Sequence, residues 1–223
     1  MRLIDYLDKG AMLGADAPCL TMGEVDLSYA EVQRLSHRIA RGLQRAGIAP
    51  GDKVAVLSSN DATAFGCVFG LSRAAAVWCP VNPRNETAEN GYVLDAFDCA
   101  ALFFHSSYEP MVEQMRAGLP KVRVFVCIDR PGAWAPSLQQ WLEGASDAPI
   151  EIAPLDELAM IAGTGGTTGQ PKGVMLSARN LETMSALTLM GYPFEGRPSY
   201  LALAPLTHAA GVLCFPVLAL GGR

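Results

Sequence analysis

The sequence has few histidines, few charged residues and no cluster of basic residues. Only three histidines occur among 223 residues, and Asp, Glu, Lys and Arg together make up 17% of the chain. The formal net charge is −5, with no run of Lys or Arg at any point. Because binding to the backbone of nucleic acid needs clustered positive charge, we do not expect nucleic acid as a partner.

The sequence also lacks any Cys-x-x-Cys pair. Its six cysteines are widely scattered, at positions 19, 67, 79, 99, 127 and 214. Zinc sites and disulfide frameworks depend on closely spaced or paired cysteines, so neither is expected. The scatter favours buried thiols in a reducing compartment, and we therefore expect a cytoplasmic protein.

No apolar run is long enough to cross a bilayer. A membrane-spanning helix needs about 20 consecutive apolar residues, whereas the longest run, 209–220, is shorter and contains Pro216. The first ten residues include Asp5 and Asp8, which the apolar segment of a signal peptide would not tolerate. Half of the residues are hydrophobic, so the chain can bury a sizeable core, and we expect 209–220 to be a helix of that core.

Strand and helix patterns alternate along the chain. A hairpin is predicted at 20–27, and the capping box Ser28–Glu31 opens a helix closed by Gly47. Asn60 or Asp61 caps the next helix, Ser177 caps another, and 129–149 reads as an irregular, exposed loop. Further strands are predicted at 53–57, 77–79, 100–104, 122–128, 158–162 and 200–204, with helices at 87–97 and 108–117. The alternation predicts an α/β fold, a mostly parallel sheet flanked by helices, with ligands at the carboxyl ends of its strands.

A segment rich in glycine and threonine follows the strand predicted at 158–162. Glycine lets backbone N–H groups face a bound anion, threonine adds hydroxyl donors and lysine adds a positive charge. The segment is therefore suited to a polyphosphate. Its candidate ligands are Thr164, Gly165, Gly166, Thr167, Thr168, Gly169 and Lys172.

The spacing excludes two common phosphate loops. A Walker loop needs Gly-Lys followed by Ser or Thr, but Lys172 stands between Pro171 and Gly173. The Gly-x-Gly-x-x-Gly fingerprint of dinucleotide-binding folds also fails to match the glycine spacing. The alternative to a phosphate-binding loop is a flexible surface turn without a function. The combination of glycines, threonines, a proline and a lysine within ten residues disfavours that alternative.

The ten residues 164–173 resemble the phosphate-loop signature of the adenylate-forming enzymes, which include acyl-CoA and aryl-CoA synthetases, adenylation domains of peptide synthetases, and luciferases. Gly165 stands where these enzymes usually have Ser or Thr, so one hydroxyl donor is missing. The stretches 51–60, 73–77 and 80–84 are similar to the scaffold of acyl-CoA synthetases. The resemblance therefore covers nearly the whole chain.

A second segment, 205–211, resembles the Pro-Leu-aromatic-His-x-x-Gly segment of acyl- and aryl-CoA synthetases. The resemblance implies that His208 lies beside the acyl pocket and the tunnel for coenzyme A, although Thr207 replaces the usual aromatic residue. His37 and His105 are interpreted as structural.

The resemblance implies a reaction in two steps, with ATP, magnesium, coenzyme A and a small carboxylic acid. The acid first forms an acyl-adenylate, and a thiol then forms the acyl-CoA thioester. Lys172 is expected to be an electrostatic clamp on the β- and γ-phosphates, together with the loop threonines and amides. Thr164 is also expected to contact magnesium.

Motifs that such enzymes carry further along are absent from residues 1–223. We therefore expect an incomplete N-terminal domain, lacking a C-terminal catalytic domain, inactive alone and prone to self-association through an uncovered apolar surface near 209–220. The alternative is a catalytically silent nucleotide-binding or scaffolding module of the same fold. A serine hydrolase is disfavoured, because no Gly-x-Ser-x-Gly segment is present.

Overall fold

The computed structural model describes residues 1–164, 171–206 and 209–223. A helix and a small hairpin come first. Helix α1 covers Leu3–Leu13, and strands β1 (Pro18–Met22) and β2 (Val25–Ser28) pair antiparallel. Gly23 makes the turn with a φ of 61°, a backbone conformation that favours glycine.

The central sheet of the described residues has six strands in the spatial order β6-β5-β3-β4-β7-β8. All neighbouring strands run parallel except β8, which is antiparallel to β7. The strands are β3 (Lys53–Leu57), β4 (Val77–Val81), β5 (Cys99–Phe104), β6 (Val124–Cys127), β7 (Leu158–Thr164) and β8 (Lys172–Ser177).

Helices cover both faces of this sheet. They are α2 (Tyr29–Arg45), α3 (Ala62–Arg73), α4 (Thr87–Ala96), α5 (Glu109–Arg116), α6 (Leu138–Trp141), α7 (Ala178–Gly191) and α8 (Cys214–Ala219). Because successive side chains of a strand face opposite sides, Val54 and Val56 of β3 join a core with α1, α2, α3 and α8. Ala55 and Leu57 join a second core with α4 and α5. The predicted fold class is thereby confirmed.

Several local predictions are also confirmed. Ser28 and Glu31 form the capping box at the start of α2, and Gly47 follows the helix with a φ of 73°. Asp61 caps α3 by accepting a hydrogen bond from the N–H of Ala64 at 2.8 Å. Ser177 caps α7.

Two strand predictions were wrong. Pro80 does not end β4, which continues to Val81, because β7 is paired with β4 only at Trp78 and Met160 and no ladder on that side extends to the proline. Residues 200–204 form no strand, and residue 204 lies in a bend. Helix α1 and strand β8 were not predicted.

Two predictions about exposure need correction. The 129–149 segment is mostly irregular and exposed, as predicted, but it contains the short helix α6 and buries Leu138 and Leu142. The expected uncovered apolar surface near 209–220 is absent from the described side chains of 211–220, apart from Leu213, which is 41% exposed. Phe215 instead packs on Phe69, with ring centroids 6.1 Å apart, so the prediction of a core helix holds for α8.

Candidate functional site

The predicted phosphate loop joins β7 to β8. Thr164 ends β7 and Lys172 begins β8, and the two are register partners in the antiparallel ladder. The hydroxyl of Thr164 donates a hydrogen bond to the carbonyl oxygen of Lys172 at 3.2 Å. The loop is therefore held between the two strands of a hairpin. Its other predicted ligands, Gly165, Gly166, Thr167, Thr168 and Gly169, lie outside the described residues.

Close packing fixes the base of this hairpin. Gly173 is paired with Gly163, and a Cβ added at Gly173 would lie 2.7 Å from Ile161 Cγ2 and 2.9 Å from Phe97 Cε1. A Cβ at Gly163 would meet nothing within 4 Å. Position 173 therefore has to be glycine for β8 to pair with β7 there. Lys172 precedes this closely packed position, so the packing limits how far its backbone can shift.

Both Thr164 and Lys172 are exposed to solvent. Within the ranges that the structure describes, no carboxylate pairs with the ammonium group of Lys172. An exposed ammonium and a hydroxyl at the carboxyl end of a strand can hold an anion such as phosphate. The structure thus brings together the two predicted ligands that it describes.

A small cavity with several polar residues in its lining adjoins the hairpin. Its volume is about 60 Å³, and its lining includes Asn82, Asn85, Glu89 and Asn90 together with Thr164. Asn90 is completely buried, and its Nδ2 group donates to the carbonyl oxygen of Asn82 at 3.2 Å. The sequence reasoning missed this cavity. The sequence carried no signal for it, because the burial of Asn90 is known only from the fold.

His208 lies outside the described residues, but the segment before it is well defined. The side chain of Asn60 donates from Nδ2 to the carbonyl oxygens of Ala202 and Ala204, at 2.9 and 3.1 Å. Its Oδ1 accepts a hydrogen bond from the N–H of Leu206 at 2.7 Å. Asn60 thus acts as the hydrogen-bonding partner of a segment that has no neighbouring strand among the described residues. Sequence reasoning considered Asn60 as a helix cap and as part of the scaffold stretch 51–60.

A larger, mostly apolar cavity of about 440 Å³ lies beside the same segment. Its lining includes Leu206, Leu201 and Phe65, together with Cys19 and Cys214. Burial raises the pKa of Cys214 to about 12 and that of Cys19 well above its ordinary range. Both thiols therefore stay protonated and line the cavity as small apolar groups. A cavity of this size and character suits the hydrocarbon part of a small ligand.

The other two histidines have structural environments, in keeping with the prediction. The Nδ1 atom of His37 accepts a hydrogen bond from the N–H of Ile150 at 3.2 Å. The Nδ1 atom of His105 accepts from the N–H of Ser107 at the start of a short 3₁₀ turn. Each ring ties down local backbone.

The described residues contain no group of three or more His, Cys, Asp or Glu side chains able to hold a metal ion. No helix within the described ranges is long and apolar enough to cross a membrane. Thr164 is the predicted magnesium contact, and the structure describes its hydroxyl oxygen. One hydroxyl fits an ion held mainly by nucleotide phosphates and water, as magnesium commonly is.

A family model described as AMP-binding enzyme matches residues 7–223. The chain belongs to the AMP-binding enzyme family. It is 32% identical over 217 residues to a feruloyl-CoA synthase from Amycolatopsis sp, a match covering 96% of this chain and 41% of the synthase. It is 29% identical over 225 residues to a long-chain-fatty-acid–CoA ligase from Thermus thermophilus, covering 98% of this chain and 41% of the ligase.

A solved structure also matches along the full chain. The apo structure of Mycobacterium smegmatis MbtA superposes with a TM-score of 0.90 at 26% identity, covering 100% of this chain and 43% of MbtA. The chain thus spans about two fifths of the length of these relatives. The mostly parallel sheet flanked by helices is the fold that this part of the AMP-binding enzymes shares.

Proposed function

We propose that this chain supplies the nucleotide-phosphate and carboxylic-acid sites of an AMP-forming acyl-CoA ligase. The observation that carries the proposal is the β7–β8 hairpin, which presents Thr164 and Lys172 at the two ends of a glycine- and threonine-rich loop. Two relatives of this chain are named as a feruloyl-CoA synthase and a long-chain-fatty-acid–CoA ligase. Both names describe joining an acid to coenzyme A.

The proposed reaction has two balanced steps. A carboxylate oxygen attacks the α-phosphorus of ATP, the bond from that phosphorus to the bridging oxygen breaks, and pyrophosphate leaves. The sulfur of coenzyme A then attacks the acyl carbon of the adenylate, its proton is lost, and AMP leaves. Both steps depend on positioning the reactants and on stabilising negative charge as it moves to the leaving group.

Lys172 has the role of an electrostatic clamp in this proposal. Its ammonium group is exposed at the start of β8 and would neutralise charge on the β- and γ-phosphates as pyrophosphate departs. The Thr164 hydroxyl, together with the amides and hydroxyls of residues 165–169, would bind the same phosphates. Magnesium would lower the negative charge of the triphosphate, with Thr164 as one ligand.

The apolar cavity is our candidate for the acyl site. Leu206 lines it and precedes His208 by two positions, so the proposed acyl and coenzyme A residue follows directly from the cavity wall. The acid would place its hydrocarbon part against Phe65, Leu201 and Leu206. The carboxylate would then have to face the hairpin side.

The remaining machinery would come from a further part of the same enzyme. Large apolar side chains are exposed on β8, on α7 and further along the chain: Met175 at 66%, Leu187 at 62%, Met190 at 81% and Leu203 at 83%. Contiguous exposed apolar surface marks an interaction site. We propose that this surface packs against a catalytic part of the ligase and that the 223-residue chain is inactive alone. Self-association through the same surface is a second consequence.

The six cysteines are all free and buried. This supports a reducing compartment, and we propose a cytoplasmic location. The alternative of a silent nucleotide-binding module predicts the same phosphate binding without chemistry in any longer form of the protein.

Magnesium pyrophosphate tests the phosphate site without requiring catalysis. We expect it to bind this chain and to compete with ATP, with Lys172→Ala weakening binding and Lys9→Ala, an exposed lysine on α1, leaving it unchanged. Equal binding by both variants would contradict the site. The 223-residue chain can also be incubated with ATP, magnesium, coenzyme A and a panel of acids. Formation of a thioester would contradict the proposal that the chain is inactive alone.

A further inference from the structure

Residues 148–152 form a strap that contacts α2, α3 and the start of α1. They belong to no helix or strand, and no backbone-to-backbone hydrogen bond within the described residues holds them. Side chains of the helices hold the strap instead. Arg41 on α2 donates to two carbonyl oxygens at its start, 3.2 and 3.3 Å away. Arg2, just before α1, donates to the carbonyl oxygen of Ile152 at 3.3 Å.

The middle of the strap is bound by His37 of α2. The Nδ1 atom of this half-buried ring accepts a hydrogen bond from the N–H of Ile150 at 3.2 Å. A backbone N–H can only donate, so Nδ1 carries no proton while this bond exists. The side chain of Ile150 packs against the core that α2 shares with α1 and α3. The attached strap therefore requires a neutral His37.

Charged groups from three helices and from the strap surround His37. Arg73 on α3 is buried, with its guanidinium 2.6 Å from Asp8 Oδ1 on α1 and 3.6 Å from Glu151 Oε1 on the strap. Burial, followed by the charge of Arg73, lowers the pKa of His37. Arg41 acts in the same direction, whereas Asp8 and Glu151 oppose it. A proton on the ring would meet two arginines and would also remove the acceptor for the strap.

We propose that residues 148–152 are a pH-sensitive strap, which protonation of His37 releases from α2. A histidine freed from the strap binds its proton near pH 6.5, whereas the ring that holds the strap cannot. Attachment is therefore complete above that pH and release increases below it. The strap is followed by β7, which ends at Thr164, so release frees the chain just before the strand that leads to the proposed phosphate site.

Amide hydrogen exchange of Ile150 tests the proposal on the unmodified chain. Its protection factor, the ratio of the intrinsic to the observed exchange rate, corrects for the effect of pH on exchange itself. We expect this factor to fall severalfold, and by at most about tenfold, from pH 7.5 to pH 5.5. The amide of Gln140 in α6 donates to the hydroxyl of Ser137 at 3.1 Å, which does not titrate, so its protection factor should stay unchanged.

Two histidine variants separate the switch from a general loosening. His37→Asn places an amide oxygen where Nδ1 was, so it can accept the bond from Ile150 at every pH. We expect the protection factor of Ile150 in this variant to be independent of pH. His105→Asn makes the same change at a histidine whose Nδ1 also accepts a backbone N–H, and it should keep the full response of Ile150.

Three results would overturn the proposal. One is an equal protection factor of Ile150 at both pH values in the unmodified chain. Another is a fall in His37→Asn as large as in the unmodified chain. The third is a fall shared equally by Gln140, because opening would then extend beyond the strap. Each protein is compared with itself at two pH values, so a change in its overall stability does not affect the outcome.

Discussion

The Oδ1 atom of Asn60 accepts a hydrogen bond from the backbone N–H of Leu206 at 2.7 Å, across 146 positions of sequence. The same amide donates to the carbonyl oxygens of Ala202 and Ala204. Asn60 lies between β3 and α3, at the carboxyl end of a central strand. One side chain therefore ties the rigid sheet to the segment that leads to His208.

Replacing Asn60 tests this tether. Asn60→Ala removes three hydrogen bonds, and we expect a loss of about 1–3 kcal/mol of unfolding free energy with faster amide exchange at Leu206. Asn60→Asp keeps an acceptor for the N–H of Leu206 but loses both donors. The amide of Leu206 should therefore exchange more slowly in Asn60→Asp than in Asn60→Ala. Denaturant unfolding and hydrogen exchange measure both effects. Unchanged protection of Leu206 in Asn60→Ala would contradict the tether.

Two glycines that face each other provide a matched test of the hairpin. A methyl group at Gly173 would meet Ile161 and Phe97, whereas one at Gly163 would meet nothing. We expect Gly173→Ala to destabilise the chain by about 1–3 kcal/mol through overpacking and to weaken phosphate binding. Gly163→Ala should change stability little. Equal unfolding free energies for the two variants would show that β8 does not pack on β7 as described.

The hydroxyl of Thr164 donates a hydrogen bond to the Lys172 carbonyl, and its proposed contacts are to phosphate and to magnesium. Thr164→Val removes the hydroxyl but keeps a branched side chain of the same shape. We expect Thr164→Val to lower the affinity for magnesium–ATP by a larger factor than the affinity for metal-free ATP. Thr164→Ser, which restores a hydroxyl, should recover most of the affinity for magnesium–ATP. Titrations with and without magnesium separate these cases. A loss of the same factor in both titrations argues against a magnesium contact.

His37 should make stability depend on pH. Burial, followed by the positive charge of Arg73, lowers the pKa of His37 below its ordinary value of 6.5. The unfolded chain therefore takes up a proton near pH 6.5 that the folded chain does not, so this contribution to stability is complete above that pH and declines below it. The protonated ring also cannot accept the hydrogen bond from Ile150 at Nδ1.

We expect His37→Gln to flatten the dependence of the unfolding midpoint between pH 7.5 and pH 5.5. Arg34→Gln, an exposed change on the same helix, should keep the slope of the unmodified chain. The prediction is wrong if His37→Gln and the unmodified chain lose stability in parallel over this range.

Local signals predicted the parts of the fold where sequence and structure agree. The capping box at Ser28 and the apolar run at 53–57 each depend on a few neighbouring residues, and both form as expected. Strand β8 was missed because its apolar residues Val174 and Met175 are consecutive, so the sequence shows no alternation of apolar and polar residues there. Both side chains are exposed in the structure. The strand predicted at 200–204 has no partner strand among the described residues. Asn60 bonds the carbonyl oxygens of Ala202 and Ala204 instead, and the N–H of Tyr200 donates to the carbonyl oxygen of Arg223.

The position of the candidate site could be predicted from the sequence, but its construction could not. The loop composition predicts phosphate binding, and the ends of the loop at Thr164 and Lys172 lie together. Nothing in the sequence showed that Gly173 must be small, because the reason is the Phe97 ring, 76 positions away in the chain and close only after folding. The Asn90 cavity escaped notice for the same reason, since its walls come from α4 and from the hairpin.

Calorimetric titration of magnesium–ATP into the unmodified chain, Lys172→Ala and Lys9→Ala tests the central claim most directly. Loss of a charged contact to phosphate is worth about 1.5–3 kcal/mol, so we expect binding to weaken about tenfold or more in Lys172→Ala and to stay unchanged in Lys9→Ala. That result would establish a working phosphate site in this chain. Absence of binding in all three proteins, or equal binding in all three, would contradict the account.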